Sequence, residues 1–134
     1  RLRQVEIRFE HPEQAIWIQG DNAELRQVFV NLLHNAMHAM KDGGTVSIEI
    51  ETSNASVVVI RISDTGVGIP PENLSRIFLP FFSRRADGQA GMGLGLAVCK
   101  SIVDRCGGTI AVASELGKNT VFTITLPLAL GVSS

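Results

Sequence analysis

Residues 25–40 read LRQVFVNLLHNAMHAM and carry the clearest structural signal in the chain. Apolar side chains recur in this stretch three and four residues apart, which is the spacing of one buried helix face. The apolar positions are Leu25, Val28, Phe29, Leu32, Leu33, Ala36, Met37 and Met40. Residues 20–22 offer an N-cap, and the basic and glycine residues of 41–44 suit the helix end. The stretch therefore predicts an amphipathic helix that packs against another layer.

The segments on both sides of this helix predict strands and further helices. Residues 57–62 are almost continuously apolar and β-branched, as in a central strand. The predicted strands are 5–9, 15–18, 46–51, 57–62, 109–113 and 120–126, and the other predicted helices are about 71–76 and 94–106. Because strands and helices mix without a strict βαβ alternation, we expect an α+β fold with one mixed sheet and helices on one face.

The composition restricts the class of protein. The chain has 134 residues, 45% of them apolar and 19% charged, which fits one folded domain and excludes disorder. We expect the domain to span residues 1–128 and residues 129–134 to form a frayed tail. A net charge of −1 argues against a surface for nucleic acid or anionic membrane. No apolar run approaches the ~18 residues of a membrane span, and no signal peptide opens the chain. Cys99 and Cys106 are expected to be reduced thiols, as in a cytoplasmic protein.

A stripe of polar side chains runs beside the apolar face of the 25–40 helix. It contains Glu24, Gln27, Asn31, Asn35 and His38. Asn31 and Asn35 are four residues apart, so both carboxamides can reach one point. Amide oxygens are neutral, hard ligands, which suit a Mg²⁺ ion that phosphates and water otherwise surround. Taken alone, the pair is more typical of a solvated polar face.

The string Asp64-Thr65-Gly66-Val67-Gly68 directly follows the predicted central strand. A carboxylate at the end of a buried strand is well placed to accept a hydrogen bond from an exocyclic amine, such as that of adenine. The two glycines would let the backbone approach a flat base closely. An ordinary Asp-x-Gly turn explains this string alone equally well.

A third motif, Gly91-Met92-Gly93-Leu94-Gly95, leads into the predicted helix 94–106. Closely spaced glycines before a helix free N–H donors that can point at a phosphate. Residues 83–93 are polar and glycine-bearing, as in a mobile loop, and its Arg84 and Arg85 are candidates to meet a terminal phosphate. The alternatives are a solvated basic pair and a glycine-rich turn that binds no phosphate.

In order and spacing, these motifs resemble the ATP-binding catalytic domain of sensor histidine kinases, whose superfamily includes gyrase, MutL and a heat-shock chaperone. The family's asparagine box, first glycine box, phenylalanine box, second glycine box and last strand correspond to 25–36, 64–69, 77–82, 91–96 and 120–127. The resemblance covers about residues 4–128. It implies a Bergerat-type two-layer α/β sandwich, with a mixed, mainly antiparallel sheet covered by about three helices on one face.

The resemblance also implies roles for individual residues. Asn35 would bind Mg²⁺, Asn31 would support the metal and the phosphates, and Asp64 would take the adenine amine. Arg85 would contact the γ-phosphate, and Thr120 would help the adenine site through water. The expected catalytic residues are Asn31, Asn35 and Arg85. The expected nucleotide-binding residues are Asn31, Asn35, His38, Asp64, Gly66, Gly68, Ile69, Phe82, Arg84, Arg85, Gly91, Met92, Gly93, Leu94, Gly95, Leu96 and Thr120.

The activity that the resemblance implies is transfer of the γ-phosphoryl group of Mg²⁺-ATP to a histidine in two-component signalling. The acceptor would lie on a dimerisation and phosphotransfer domain of the same protein, expected upstream of Arg1, and a response regulator would be an indirect partner. No contact with nucleic acid or membrane is expected of this cytoplasmic domain. This expectation does not exclude a membrane anchor elsewhere in the parent protein.

Three other functions stay open at this point. They are a hydrolytic ATPase or clamp of the same superfamily, a serine kinase of the anti-sigma kind, and a nucleotide-sensing module without catalysis. Relatives that hydrolyse ATP carry a glutamate four residues before the metal-binding asparagine, where this chain has Asn31. Because an amide is a poor general base, Asn31 favours transfer over hydrolysis. The phenylalanine box and the extended loop 83–93 favour the histidine-kinase branch over the serine kinases.

Overall fold

The computed structural model describes residues 5–10, 18, 20–53, 56–80 and 92–128, with side chains except at 53 and 92–94. In this part of the chain, five strands form one sheet and two α-helices pack on one of its faces. The elements are β1 (Val5–Glu10), α1 (Asn22–Ala39), β2 (Gly44–Ser53), β3 (Val57–Asp64), a 3₁₀ helix (Pro71–Asn73), α2 (Met92–Arg105), β4 (Thr109–Glu115) and β5 (Asn119–Pro127).

The sheet is mixed, as the sequence pattern predicts, and mainly antiparallel, as the family resemblance implies. Its strand order is β1-β2-β3-β5-β4. Only the β1–β2 pair is parallel among the described strands, and the other three pairs are antiparallel. Parallel neighbours need a long crossover connection, and α1 lies between β1 and β2 in the chain. The antiparallel pairs follow from two hairpins and from the insertion of β5 between β3 and β4.

One face of the sheet supplies half of the core. Alternate side chains of β3 and β5 are buried on this face, and the register places them side by side. These side chains are Val58, Ile60, Ile62, Asp64, Thr120, Phe122, Ile124 and Leu126. The helices cover the same face with Val28, Leu32, Ala36, Leu96, Cys99, Ile102 and Val103. Buried side chains recur at every second residue of the strands and at every third or fourth residue of the helices. Each element therefore has one apolar face, and these faces pack together as two layers.

Helix α1 begins at its predicted cap. The Asp21 carboxylate accepts hydrogen bonds from the N–H groups of Ala23 (2.8 Å) and Glu24 (3.1 Å). The helix ends at Ala39, and Gly43 follows with a φ of 96°, a conformation that glycine adopts without strain. The glycine after the helix thus turns the chain into β2.

The helix predicted at about 71–76 is shorter than expected. Only Pro71–Asn73 is helical, and it is a 3₁₀ helix followed by turns. Its hydrogen bonds span three residues, from the Asn73 N–H to the Pro70 carbonyl and from the Leu74 N–H to the Pro71 carbonyl. No side chain caps this segment, so its first backbone N–H groups have no side-chain partner to stabilise a longer helix. The described residues accordingly contain two α-helices instead of about three.

Some of the predicted segments lie outside the described residues. They are most of strand 15–18, residues 83–91 of the predicted loop and tail 129–134. Ile18 is described and forms an isolated antiparallel bridge with Leu128. Neither of the two described α-helices has both the length and the hydropathy required to cross a bilayer.

Candidate nucleotide-binding site

The C-terminal end of α1 is held against the turn that follows β3. The Val67 N–H donates to the Ala39 carbonyl (3.1 Å). A Cβ atom at Gly66 would lie 2.5 Å from the same carbonyl oxygen and 2.6 Å from the Ala39 Cβ. Only glycine allows this approach, because a side chain at position 66 would push the turn away from the helix. Gly66 therefore allows helix α1, which carries Asn31 and Asn35, to pack against the turn that follows Asp64.

The polar stripe of α1 runs from this turn toward α2. Asn31, Asn35 and Ala39 are spaced four residues apart, so their side chains lie on one side of the helix. At ~1.5 Å per residue, Asn35 lies about 6 Å and Asn31 about 12 Å along the helix axis from Ala39. The two carboxamides are therefore arranged in sequence, at increasing distance from the Asp64 turn.

Asn31 joins α1 to the first turns of α2. Its Nδ2 donates to the Gly95 carbonyl (3.0 Å), and its Oδ1 accepts from the Gln27 Nε2 (2.8 Å). Gly95 is close to this carboxamide, since a Cβ at position 95 would lie 3.7 Å from the Asn31 Nδ2. The asparagine of the first motif and the glycine of the third motif are thus in contact, although 64 residues separate them.

Asp64 lies at the end of β3 and is 5% exposed. Its Oδ1 accepts a hydrogen bond from the Gly66 N–H (2.8 Å), which fixes the carboxylate over the turn. Thr120 of β5 is its direct cross-strand neighbour and is 3% exposed. These are the two buried polar side chains of the described core, and they lie side by side.

Gly68 and Ile69 pack against the hairpin between β4 and β5. Gly68 has a φ of +76°, and a Cβ there would lie 2.4 Å from the Glu115 carbonyl oxygen. The Val67 carbonyl accepts from the Gly117 N–H (2.7 Å), and Ile69 is completely buried. The turn after β3 is therefore enclosed between α1 on one side and the β4–β5 hairpin on the other.

Ser114 is a polar residue of this region that the motif analysis missed. Its Oγ accepts from the Ile69 N–H (2.8 Å), donates to the Asn119 carbonyl (2.7 Å) and lies 2.9 Å from the Thr120 Oγ1. The predicted hairpin contained a usable signal, because symmetric pairing across loop 115–119 places position 114 opposite Thr120. The residue was overlooked because a serine in a half-buried strand has no motif of its own.

The two cysteines belong to the packing of α2. Burial raises the pKa of the Cys99 thiol to about 11, and a hydrogen bond with Asn31 offsets part of that effect. Burial also raises the pKa of Cys106. Both cysteines are free, as predicted. Their raised pKa values keep them protonated near neutral pH, so neither is poised as a nucleophile.

Asn35 and His38 occupy the half-buried part of the α1 stripe. No hydrogen bond with a residue of the described part of the chain engages the Asn35 carboxamide. An amide oxygen in this position fits a hard cation that shares its coordination sphere with phosphates. The His38 ring packs edge-to-face on the His34 ring, with centroids 5.1 Å apart.

The remaining predicted site residues are only partly described. Phe82, Arg84, Arg85 and Gly91 lie outside the described residues, and Met92, Gly93 and Leu94 are described as the backbone of the first turn of α2. Leu96 is buried in the core. Of the aromatic segment, Phe78 is described, and its ring packs edge-to-face on that of Phe122 (6.2 Å between centroids).

Comparison with known proteins places these features in a family. Residues 20–130 match the family described as histidine kinase-, DNA gyrase B-, and HSP90-like ATPase. The sensor histidine kinase ZraS of Salmonella typhimurium is 44% identical over 126 residues, which cover 94% of this chain and 26% of ZraS. The chain thus spans about a quarter of the length of these curated relatives.

Solved structures show the same fold. The catalytic domain of the histidine kinase ThkA is 30% identical and superposes with a TM-score of 0.79, covering 92% of this chain and 80% of that one. Full-length ShkA in complex with AMPPNP is 29% identical with a TM-score of 0.80, covering 96% of this chain and 27% of ShkA.

Proposed function

Because this chain belongs to the histidine kinase-, DNA gyrase B-, and HSP90-like ATPase family, we propose that it binds Mg²⁺-ATP and transfers the γ-phosphoryl group to a histidine of a separate domain. The observation that carries the proposal is the row formed by Asn31, Asn35 and Ala39 on one side of α1. One end of the row, at Ala39, contacts the turn after Asp64, and its other end, at Asn31, contacts the Gly95 carbonyl in the first turns of α2. Helix α1 therefore contacts both the turn after β3, which would bind the base, and the first turns of α2, which would bind the phosphates.

The turn after β3 suits the adenine base. A buried carboxylate beside a buried hydroxyl, at Asp64 and Thr120, offers acceptors for an exocyclic amine. Gly66 and Gly68 keep the turn free of side chains where it contacts Ala39 and Glu115. We infer that the base lies along this turn, with Ile69 in its apolar lining.

The asparagine row and the start of α2 suit the triphosphate. Backbone N–H groups at a helix N-terminus attract anions. Helix α2 begins at Met92, and Asn31 contacts its Gly95 carbonyl. Asn35 would hold Mg²⁺, which when bound neutralises phosphate charge and so supports phosphoryl transfer. Asn31 would orient the phosphates through its fixed carboxamide, and Arg85 would meet the γ-phosphate. In this proposal Gly91, Gly93, Arg84 and His38 complete the phosphate side.

Transfer is favoured over hydrolysis by the contacts of Asn31. Both ends of its carboxamide are engaged by Gln27 and Gly95, and an amide has no pKa near neutrality with which to deprotonate water. The reaction moves the γ-phosphoryl group from ATP to an imidazole nitrogen and leaves ADP. His34 and His38 lie on the helix that would bind the nucleotide, where in-line attack is sterically unfavourable. His11 precedes Pro12, which disfavours a helix there, whereas the family's acceptor lies on a helix. The acceptor therefore belongs to a dimerisation and phosphotransfer domain of the same protein, with a response regulator as the next acceptor and the cytoplasm as the compartment.

Radiolabelled ATP tests this proposal. The chain is incubated with [γ-³²P]ATP and Mg²⁺, alone and with the phosphotransfer domain of its own protein. The expected result is acid-labile label on the added domain and no label on this chain. Release of inorganic phosphate at a similar rate with and without the acceptor would support the hydrolytic ATPase instead. Stoichiometric label on His11, His34 or His38 would contradict the assignment of the acceptor.

A further inference from the structure

The Ser114 hydroxyl uses its complete hydrogen-bonding capacity within the protein. A serine hydroxyl has one proton to donate and two lone pairs to accept with. Three partners surround the Ser114 Oγ, which are the Ile69 N–H at 2.8 Å, the Asn119 carbonyl at 2.7 Å and the Thr120 hydroxyl at 2.9 Å. The number of partners therefore equals the number of hydrogen bonds that a hydroxyl is able to make.

The chemistry of these partners fixes the direction of each bond. A backbone carbonyl only accepts, so the Ser114 proton points to the Asn119 oxygen. A backbone N–H only donates, so Ile69 occupies one lone pair of the Ser114 oxygen. The remaining lone pair faces Thr120, and Thr120 must supply the proton of that contact. The Thr120 hydroxyl is therefore a donor to Ser114.

This arrangement leaves Thr120 with acceptor capacity alone. Its proton is committed to Ser114, so any ligand or water that reaches the Thr120 oxygen has to donate a hydrogen bond to it. On the neighbouring strand, the Asp64 carboxylate is also an acceptor. Ser114, Thr120 and Asp64 form one row across β4, β5 and β3, in direct cross-strand register.

We propose that Ser114 is a positioning residue for base selection, which makes the buried end of the site accept hydrogen bonds and not donate them. The inference rests on the proposed function, in which the base lies at Asp64 and Thr120. A base with an exocyclic amine meets acceptors at this end, whereas a base with a carbonyl at the same position meets no donor. Ser114 acts through the direction of the Thr120 proton and does not touch the nucleotide itself.

Removal of the Ser114 oxygen frees the Thr120 proton. In Ser114→Ala, the Thr120 hydroxyl loses its internal acceptor and is able to rotate and donate to a ligand carbonyl. The test measures the affinities of ATP and of inosine triphosphate, which has a carbonyl in place of the amine, by titration calorimetry with Mg²⁺. We expect Ser114→Ala to lower the preference for ATP about fivefold, the effect of one hydrogen bond.

Three further variants separate positioning from simple loss of structure. Ser114→Thr keeps the hydroxyl and is expected to keep the preference for ATP. Ser63→Ala, the same class of change on β3 but on the opposite face of the sheet, is expected to leave both affinities unchanged. In a Thr120→Val background, Ser114→Ala should no longer change the ratio of the two affinities, because its effect passes through the Thr120 proton.

The outcomes distinguish this inference from the proposed function. Equal weakening of both nucleotides by Ser114→Ala, with normal ATP binding by the unmodified chain, would overturn the inference and leave the function intact. A change in the ratio that persists in the Thr120→Val background would also overturn it. If the unmodified chain bound neither nucleotide, the proposed function would fail and this inference with it.

Discussion

Asn31 and Asn35 of α1 differ in their hydrogen bonds with the rest of the described protein. Both ends of the Asn31 carboxamide make hydrogen bonds within the protein, which set its orientation. Asn35, one turn further along the helix, has no such bond to the described part of the chain and is half-buried. A fixed asparagine suits the positioning of phosphates, and an uncommitted one suits a metal ligand. The two positions therefore carry different proposed roles despite identical chemistry.

The metal role of Asn35 predicts a specific loss on substitution. Asn35→Ala should weaken ATP binding at least about tenfold with Mg²⁺ present and change it little with EDTA, because only the metal contact is removed. Titration calorimetry under both conditions measures this. His34→Ala, on the exposed side of the same helix, is the matched control and should bind ATP as the unmodified chain does. Equal loss with and without Mg²⁺ would remove Asn35 from the metal site.

At the scale of elements, three glycines have different functions in the packing. Gly66 lets the turn after β3 contact α1, and Gly68 lets it contact the β4–β5 hairpin. At both positions a Cβ would lie within 2.5 Å of a backbone oxygen. Because the clashing atom belongs to the backbone, rotation of a side chain cannot relieve the clash. Gly95 has room for a Cβ, at 3.7 Å from Asn31. The first two glycines are required by the fold, whereas Gly95 is not required by sterics.

This difference predicts that alanine destabilises the protein at position 66 and not at position 95. Gly66→Ala should lower the free energy of unfolding by about 2 kcal/mol and the melting temperature by roughly 5–10 °C, because the backbone of Ala39 or of the turn must move. Gly95→Ala should leave stability unchanged or raise it by up to ~1 kcal/mol, since alanine is the better helix former. Urea and thermal unfolding compare the two. A Gly66→Ala variant as stable as Gly95→Ala would contradict the close packing of turn and helix.

In the described part of the chain, one core lies between the sheet and the two helices. Cys99 lies in the middle of this core with no exposed surface, and its Sγ is 3.7 Å from the Val28 carbonyl of α1. Burial raises its pKa to about 11, against 9.0 for an ordinary thiol. The unfolded chain therefore loses this proton at a lower pH than the folded chain. The stability that the buried thiol contributes is complete below pH 9.0 and is lost as the pH rises toward about 11.

Alkaline unfolding measures this contribution. Between pH 8 and pH 10, the unmodified chain should lose about 1 kcal/mol more free energy of unfolding than Cys99→Val, which fills a similar volume and does not titrate. Urea unfolding at both pH values gives the difference. Cys106→Val, on the more exposed cysteine, should behave nearly as the unmodified chain does. Parallel loss of stability in the unmodified chain and in Cys99→Val would show that the Cys99 thiol is not desolvated.

The sequence by itself determined the elements whose signals are local. The spacing of apolar residues predicts α1, alternation predicts the strand that corresponds to β2, and a nearly continuous β-branched run predicts the strand that corresponds to β3. The Asp64 turn and the glycines around it were also recognisable, because turn chemistry depends on neighbouring residues. The segment around Pro71 was predicted too long, since composition alone does not distinguish a 3₁₀ turn from the start of an α-helix.

Only the tertiary structure decided which of these residues meet. The contacts of Asn31 with Gly95, of Ala39 with Gly66 and of Ser114 with Ile69 join positions far apart in the chain. Such contacts depend on strand order and on how closely helix and turn approach, and neither is encoded in a local period. The insertion of β5 beside β3 brings Thr120 next to Asp64 and Ser114 next to Thr120. Local sequence thus specifies the side chains of the site. Their arrangement in space arises only when the two helices pack closely against the buried face of the sheet.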